Sequence, residues 1–193
     1  MQTKIINGIT RYYNDNGKYL MSYSTMSKPF TQGKFDNIPS FILEKATEFG
    51  KNMSNLILDA FGGKEIGKYT PEHLKCLKSL VNALKTLNVK PTTIEKHVWN
   101  DKWHGYLDID CEDCFIEVKT RSRLELELNT VIQCEIYKRI TGKGYYIIYL
   151  NKKTGAYECW GNEDITIEEK SENLIRVAND IIDSFEYLWE KIN

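Results

Sequence analysis

The chain has 193 residues, of which 41% are hydrophobic, 12% aromatic and 27% charged, with a formal net charge of −1. That composition supports a folded core and excludes a disordered chain, and its near-neutral balance argues against a protein that coats nucleic acid through bulk positive charge. No apolar run is long enough to span a bilayer.

The opening MQTKIINGIT lacks the long apolar segment of a secretion signal, so a cytoplasmic location and no membrane partner are expected. One domain fits this length: a mostly helical part over 1–90, a sheet core over 91–160 and a final helix over 171–192. The five cysteines Cys76, Cys111, Cys114, Cys134 and Cys159 do not form a secreted disulfide pattern. Cys111 and Cys114 have zinc-like spacing but no second close pair, so packing competes with ligation there.

In chain order, Lys4–Leu20 reads as a strand or short helix followed by the turn Asn14-Asp15-Asn16-Gly17. The segment 29–39 reads as a loop, containing Thr31-Gln32-Gly33 and Asp36-Asn37. Ser40 is then expected to cap a helix over 41–61, whose inward stripe is Phe41, Ile42, Ala46, Phe49, Met53, Leu56, Ile57 and Ala60. Thr70-Pro71 starts a second helix running to about Leu87, with Leu74, Leu77, Leu80, Val81 and Leu84 buried and His73 as a surface capping residue. Lys75, Lys78 and Lys85 form a row that reads either as a solvated face or as a phosphate-facing one. Thr92–Trp99 alternates like a first core strand and carries Glu95 and His97.

The stretch HGYLDIDCEDCFIEVKT, His104–Thr120, reads as a β-hairpin turning at Glu112-Asp113. With those two residues as the turn, Asp108 stands across from Glu117, and Tyr106 across from Lys119. Strand periodicity puts these four on one face, with Leu107, Ile109, Ile116 and Val118 on the other. Opposed carboxylates repel, and a hard divalent cation, Mg²⁺ or Mn²⁺, removes that cost through oxygen coordination. Lys119 adds a cation at the same edge, placed to orient a water or to offset charge developing on phosphorus. The alternative is a solvated face on which Lys119 and Glu117 merely neutralise one another.

Beyond the hairpin, Arg121 and Arg123 are positioned either to grip phosphate or to pair with Glu125 and Glu127. A helix over 129–140 carries Ile132, Ile136 and Ile140 on one stripe and Gln133 with Tyr137 on the next. Strands follow over 145–150 and 156–160. Ser171 begins a final helix whose apolar face, Leu174 through Ile192, packs on the sheet or supplies an interface to a protein partner or a second copy.

Gly105-Tyr106-Leu107-Asp108, Glu117-Val118-Lys119, and Gln133 with Tyr137 on the next helix resemble the PD-(D/E)XK nuclease superfamily. The order and spacing are similar to its RecB-like exonuclease branch, which includes phage exonucleases, Cas4 proteins and the mitochondrial genome maintenance exonuclease. The resemblance implies a single α/β nuclease domain with a mixed four- or five-stranded sheet flanked by helices. It further implies that Asp108 and Glu117 hold Mg²⁺ or Mn²⁺, that Lys119 is catalytic, and that Gln133 supports the site. Glu95, Tyr137, Arg121 and Arg123 would lie around the metal or along the substrate. The implied activity is metal-dependent DNA hydrolysis, exonucleolytic on single strands or duplex ends, in a bacterial or phage-infected cytoplasm.

The sequence departs from the branch in one respect: four residues after Gly50, where relatives carry a metal-ligating histidine, stands Ser54. Asn52, Glu44 and Glu48 are the other polar residues nearby. No late cysteine group is present beyond Cys159, so the iron–sulfur cluster of the Cas4 relatives is not expected. A non-catalytic DNA-binding or protein-interaction module and a dimeric endonuclease are the competing readings.

Overall fold

The computed structural model describes residues 1–31, 33, 36–161 and 169–192. The chain opens with a hairpin, β1 (Gln2–Ile6) and β2 (Ile9–Tyr13), turning at Asn7-Gly8, where φ is 52° and 74°. Asn-Gly adopts such left-handed angles readily, and they match the twist of a tight hairpin. β3 (Met21–Ser22) leads into α1 (Tyr23–Thr31), a helix where the sequence reads as the start of a loop at Pro29; Gln32 of that expected loop lies outside the described residues.

α2 (Ser40–Phe61) follows, with Ser40 inside the helix and Pro39 at the cap position without a side-chain cap bond. Its stripe is buried only in the second half, at Met53, Leu56 and Ile57, whereas Phe41 and Ile42 face solvent. α3 (Pro71–Thr86) is capped as expected, the Thr70 side chain accepting from the His73 main-chain N–H. His73 is buried, stacked on Phe49 at 4.0 Å, and Leu74 is exposed, which rotates the expected inward face by about one residue. Lys75, Lys78 and Lys85 occupy the solvent side of α3.

The remaining elements are β4 (Pro91–Trp99), β5 (Trp103–Cys111), β6 (Cys114–Arg121), α4 (Leu128–Thr141), β7 (Gly144–Asn151), β8 (Tyr157–Gly161) and α5 (Glu169–Ile192). Gly142, at φ 71°, ends α4 in a left-handed cap. The fold is α/β: a mixed six-stranded sheet ordered β3-β5-β6-β7-β8, with β4 also paired to β5, flanked by helices. β6 and β7 run parallel through the α4 crossover, and β4–β5, β5–β6 and β7–β8 are antiparallel. The sixth strand, β3, pairs with Trp103 and His104 from more than eighty residues away, a long-range partner that no local pattern announces.

Each face of the sheet is covered. Met53, Leu56, Leu77, Leu80 and Leu84 from α2 and α3 pack with Ile109, Ile116, Ile148 and Leu150. Val131, Ile132, Ile136, Ala178 and Ile182 from α4 and α5 pack with Trp103, Leu107, Phe115, Ile147 and Tyr149. α5 begins two residues before Ser171; Leu174, Ile181, Phe185 and Trp189 pack inward while Val177 and Leu188 face solvent, and the Ile192 side chain lies outside those described. Among the described residues, no helix is long and apolar enough to cross a membrane.

Candidate active site

The hairpin register is the one the turn dictates: Ile109 pairs with Ile116 and Asp110 with Phe115. The ladder stops there. β4 occupies one edge of β5 as far as His104, so β3, which also pairs with His104, must use the edge that β6 follows further on. Between those two partners, Gly105–Asp108 has no strand on that edge, and the sheet opens along a seam. Asp108 fills the seam: its Oδ2 accepts the Val118 main-chain N–H at 2.8 Å, standing in for a missing ladder bond.

Alternation also breaks at this point, which corrects the four-and-four division of faces expected from strand periodicity. Leu107 packs with Trp103 and Phe115 on the α4 side, whereas Ile109 packs with Met53 and Leu56 on the α2 side. On the neighbouring strand, Glu95 lies between the pairs Ile94–Ile109 and Lys96–Leu107, hence beside Asp108, and it has φ 53°. A left-handed conformation at a non-glycine residue costs about 1–3 kcal/mol and re-aims the local backbone. Tyr106, expected across from Lys119, instead stacks on His97 at 4.5 Å and shares a hydrogen bond with the Tyr12 hydroxyl at 2.9 Å.

Glu117 is 1% exposed, and its Oε1 accepts from Lys119 Nζ at 2.5 Å. Lys119 Nζ also donates to Gln133 Oε1 at 3.1 Å, and Gln133 Nε2 donates to the Tyr137 hydroxyl at 3.3 Å. The Tyr137 ring lies directly on Gly105, where any Cβ would overlap it, so the glycine is what lets α4 approach the seam. Burial, and then Asp108, push the Glu117 carboxyl up to about 8 against the pull of Lys119. Burial also raises Asp108, opposed by Lys119 and the Val118 N–H. For Lys119, burial works against the charge, but Glu117 and Asp108 outweigh it and hold the ammonium protonated.

A cavity of about 280 Å³ opens on this cluster from the α2 side, lined by Gly50, Met53 and Ser54 of α2 together with Glu95, Asp108, Lys119, Thr120 and Arg121. Arg121 also pairs with Glu127 at 3.0 Å, and Arg123 is exposed two residues further along. Burial, then Asp108, raise the Glu95 carboxyl. Glu117 Oε2 is buried and, among the described atoms, has no hydrogen-bond partner. An orphaned carboxylate oxygen beside a second buried carboxylate is the donor chemistry of a hard divalent cation. Among the described residues no group of three or more His, Cys, Asp and Glu is arranged to hold a metal. A cation taken by Asp108 and Glu117 would therefore draw its remaining oxygens from water or substrate.

Asp110 lies outside this cluster, paired with Lys96 at 2.6 Å and with Lys143 at 2.7 Å. Cys111 and Cys114 are both buried with their thiols against one another, and His73 is remote in the α2–α3 core. A second cavity, of about 450 Å³, meets the network from the other side at Gln133 and Tyr137, and Ile9, Ser22, Tyr23 and Lys28 also line it. Its walls come from three distant segments; the only sequence signal for them is the tyrosine- and hydroxyl-rich run Ser22-Tyr23-Ser24-Thr25.

No family model and no curated protein matches the sequence. Among solved structures, 90% of the chain aligns with 93% of an alkaline exonuclease, LHK-Exo, from Laribacter hongkongensis, at 13% identity and a TM-score of 0.44. A second alignment joins 84% of the chain to 74% of SSO0001 at 12% identity and a TM-score of 0.41. Both are distant structural similarities.

Proposed function

We propose that this protein is a metal-dependent deoxyribonuclease that hydrolyses phosphodiester bonds, acting as an exonuclease on single strands or duplex ends. The observation that carries the reading is the pair of buried carboxylates, Asp108 and Glu117, set in an open seam of the sheet beside the protonated Lys119. A structural ion pair needs one carboxylate; a second one, with an orphaned oxygen between, raises the energy of the empty site and suits cation binding. The sequence resemblance to PD-(D/E)XK nucleases points to the same residues.

In this reading Asp108 and Glu117 hold Mg²⁺ or Mn²⁺, which supplies Lewis-acid activation and offsets charge at the phosphate. Lys119 uses two of its three protons on Glu117 and Gln133, leaving one for a phosphate oxygen or the attacking water. Gln133, itself fixed by Tyr137, keeps Nζ from swinging wholly onto Glu117. Arg121, at the cavity wall, is placed to meet the next phosphate when it leaves Glu127.

Cleavage of end-labelled linear DNA and closed-circular DNA, with and without divalent metal, tests the proposal. Metal-dependent loss of the linear substrate with the circle intact is expected. Cutting of the circle assigns an endonuclease, and no cutting of either gives the fold a non-catalytic role.

A further inference from the structure

The β1–β2 hairpin exposes its apolar tip while its base is held firmly. Ile5, Ile6 and Ile9 around the Asn7-Gly8 turn are 76%, 40% and 59% exposed. At the base, Tyr12 packs on His104 at 4.2 Å and on His97 at 4.8 Å, and bonds the Tyr106 hydroxyl, while Tyr13 meets Tyr19 edge-on. The hairpin is therefore a braced arm rooted on β5.

Its position gives the tip a use. Ile9 and Thr10 form part of the wall of the 450 Å³ cavity that ends at Gln133 and Tyr137, and Gln133 is the hydrogen-bond partner of Lys119. The tip thus stands at the mouth of a passage leading to the candidate catalytic lysine. The register pairs Lys4 with Arg11 and Ile6 with Ile9, which puts two cations and two isoleucines on one face of the arm. Lys4 and Arg11 lie over the rings of Tyr13 and Tyr19, at 4.9 Å and 5.4 Å. Cations behind an apolar tip suit nucleic acid: the charges meet phosphate and the aliphatic side chains sit against an unstacked base.

We propose that the β1–β2 hairpin is a wedge that sets Ile5 and Ile6 against the end of a DNA duplex, parts the terminal pair and leads one strand into the cavity toward Lys119. This rests on the nuclease reading and narrows its substrate to duplex ends.

The test uses a blunt duplex with 2-aminopurine in its terminal pair, titrated to saturation with the full chain in calcium. The wild-type protein should raise the fluorescence several-fold. Ile5→Ser/Ile6→Ser should lose most of that rise, and Ile5→Leu/Ile6→Leu, which keeps the apolar tip, should retain it. No rise with the wild type, or an equal rise with the serine variant, overturns the wedge; the latter is the result expected of a tip that serves a protein partner. Cleavage of a single-stranded oligonucleotide in magnesium reports separately on the catalytic reading. A protein that opens the end but cuts no strand fails that reading alone, and one that cuts strands without opening the end fails the wedge alone.

Discussion

The Asp108 carboxylate accepts the main-chain N–H of Val118 at 2.8 Å, in the place where β5 and β6 would otherwise continue their ladder. That bond fixes the carboxylate beside Glu117 and leaves the sheet open on either side of it. Asp108→Asn keeps an acceptor for Val118 and removes the like-charge neighbour of Glu117, so in EDTA it should unfold at or above the wild-type temperature while losing at least a hundredfold in cleavage. Asp108→Ala strands the N–H and should be less stable than the asparagine variant by about 1–3 kcal/mol. Thermal denaturation of the three proteins checks the order.

Gly105 and Tyr137 are similarly interdependent. Gly105→Ala should cost about 1–3 kcal/mol through overpacking and should reduce cleavage by displacing Tyr137 and, with it, Gln133. Adding Tyr137→Leu should restore most of the stability without the activity. A Gly105→Ala protein of unchanged stability would mean that the close approach of α4 is unimportant.

Gln133→Ala should retain the fold and lower the single-turnover cleavage rate about tenfold or more, because Lys119 loses one of its two anchors. Wild-type rates at subsaturating enzyme would remove Gln133 from the mechanism. Cys111→Ser/Cys114→Ser, in contrast, should bind no less metal and cleave normally; these thiols are buried against one another at the hairpin tip, away from the carboxylates.

The folded protein holds His104 neutral, its pKa lowered to about 4 by burial and by His97. Unfolded, the same side chain takes up a proton below about 6.5. The unfolded state therefore binds more protons between these values, so this residue's contribution is complete above about pH 6.5 and is lost as pH falls toward 4. The stability difference between wild type and His104→Gln, measured by urea denaturation, should shrink by roughly 3 kcal/mol or less across that window. A difference that is flat with pH would contradict the neutral histidine.

Much of this architecture is legible in the sequence because it is local. Two polar residues between alternating runs set the hairpin register, and Thr70-Pro71 sets the start of α3. Asn7-Gly8 carries an equally plain turn signal, and the segment read as strand or short helix is a hairpin around it. The seam is not local. Period-two alternation assumes a continuous ladder, and it fails at Asp108 because β3 displaces β6 from the beginning of β5 and Glu95 turns left-handed beside it. The burial of His73 and the exposure of Phe41 likewise depend on where α2 meets α3, which the stripe of either helix alone does not specify.

Lys119→Ala separates metal binding from chemistry. It should leave affinity for Mn²⁺ within a few-fold of wild type and lower cleavage at least a hundredfold, as read by single-turnover assays.

Calorimetric titration of Mn²⁺ into the wild type and Asp108→Ala, each with and without a non-cleavable oligonucleotide, tests the central claim most directly. Two protein carboxylates should bind one ion weakly, the oligonucleotide should tighten that binding by adding phosphate oxygens, and Asp108→Ala should weaken it at least tenfold in both conditions. Equal affinity in the wild type and Asp108→Ala would contradict a metal site in the seam between β5 and β6.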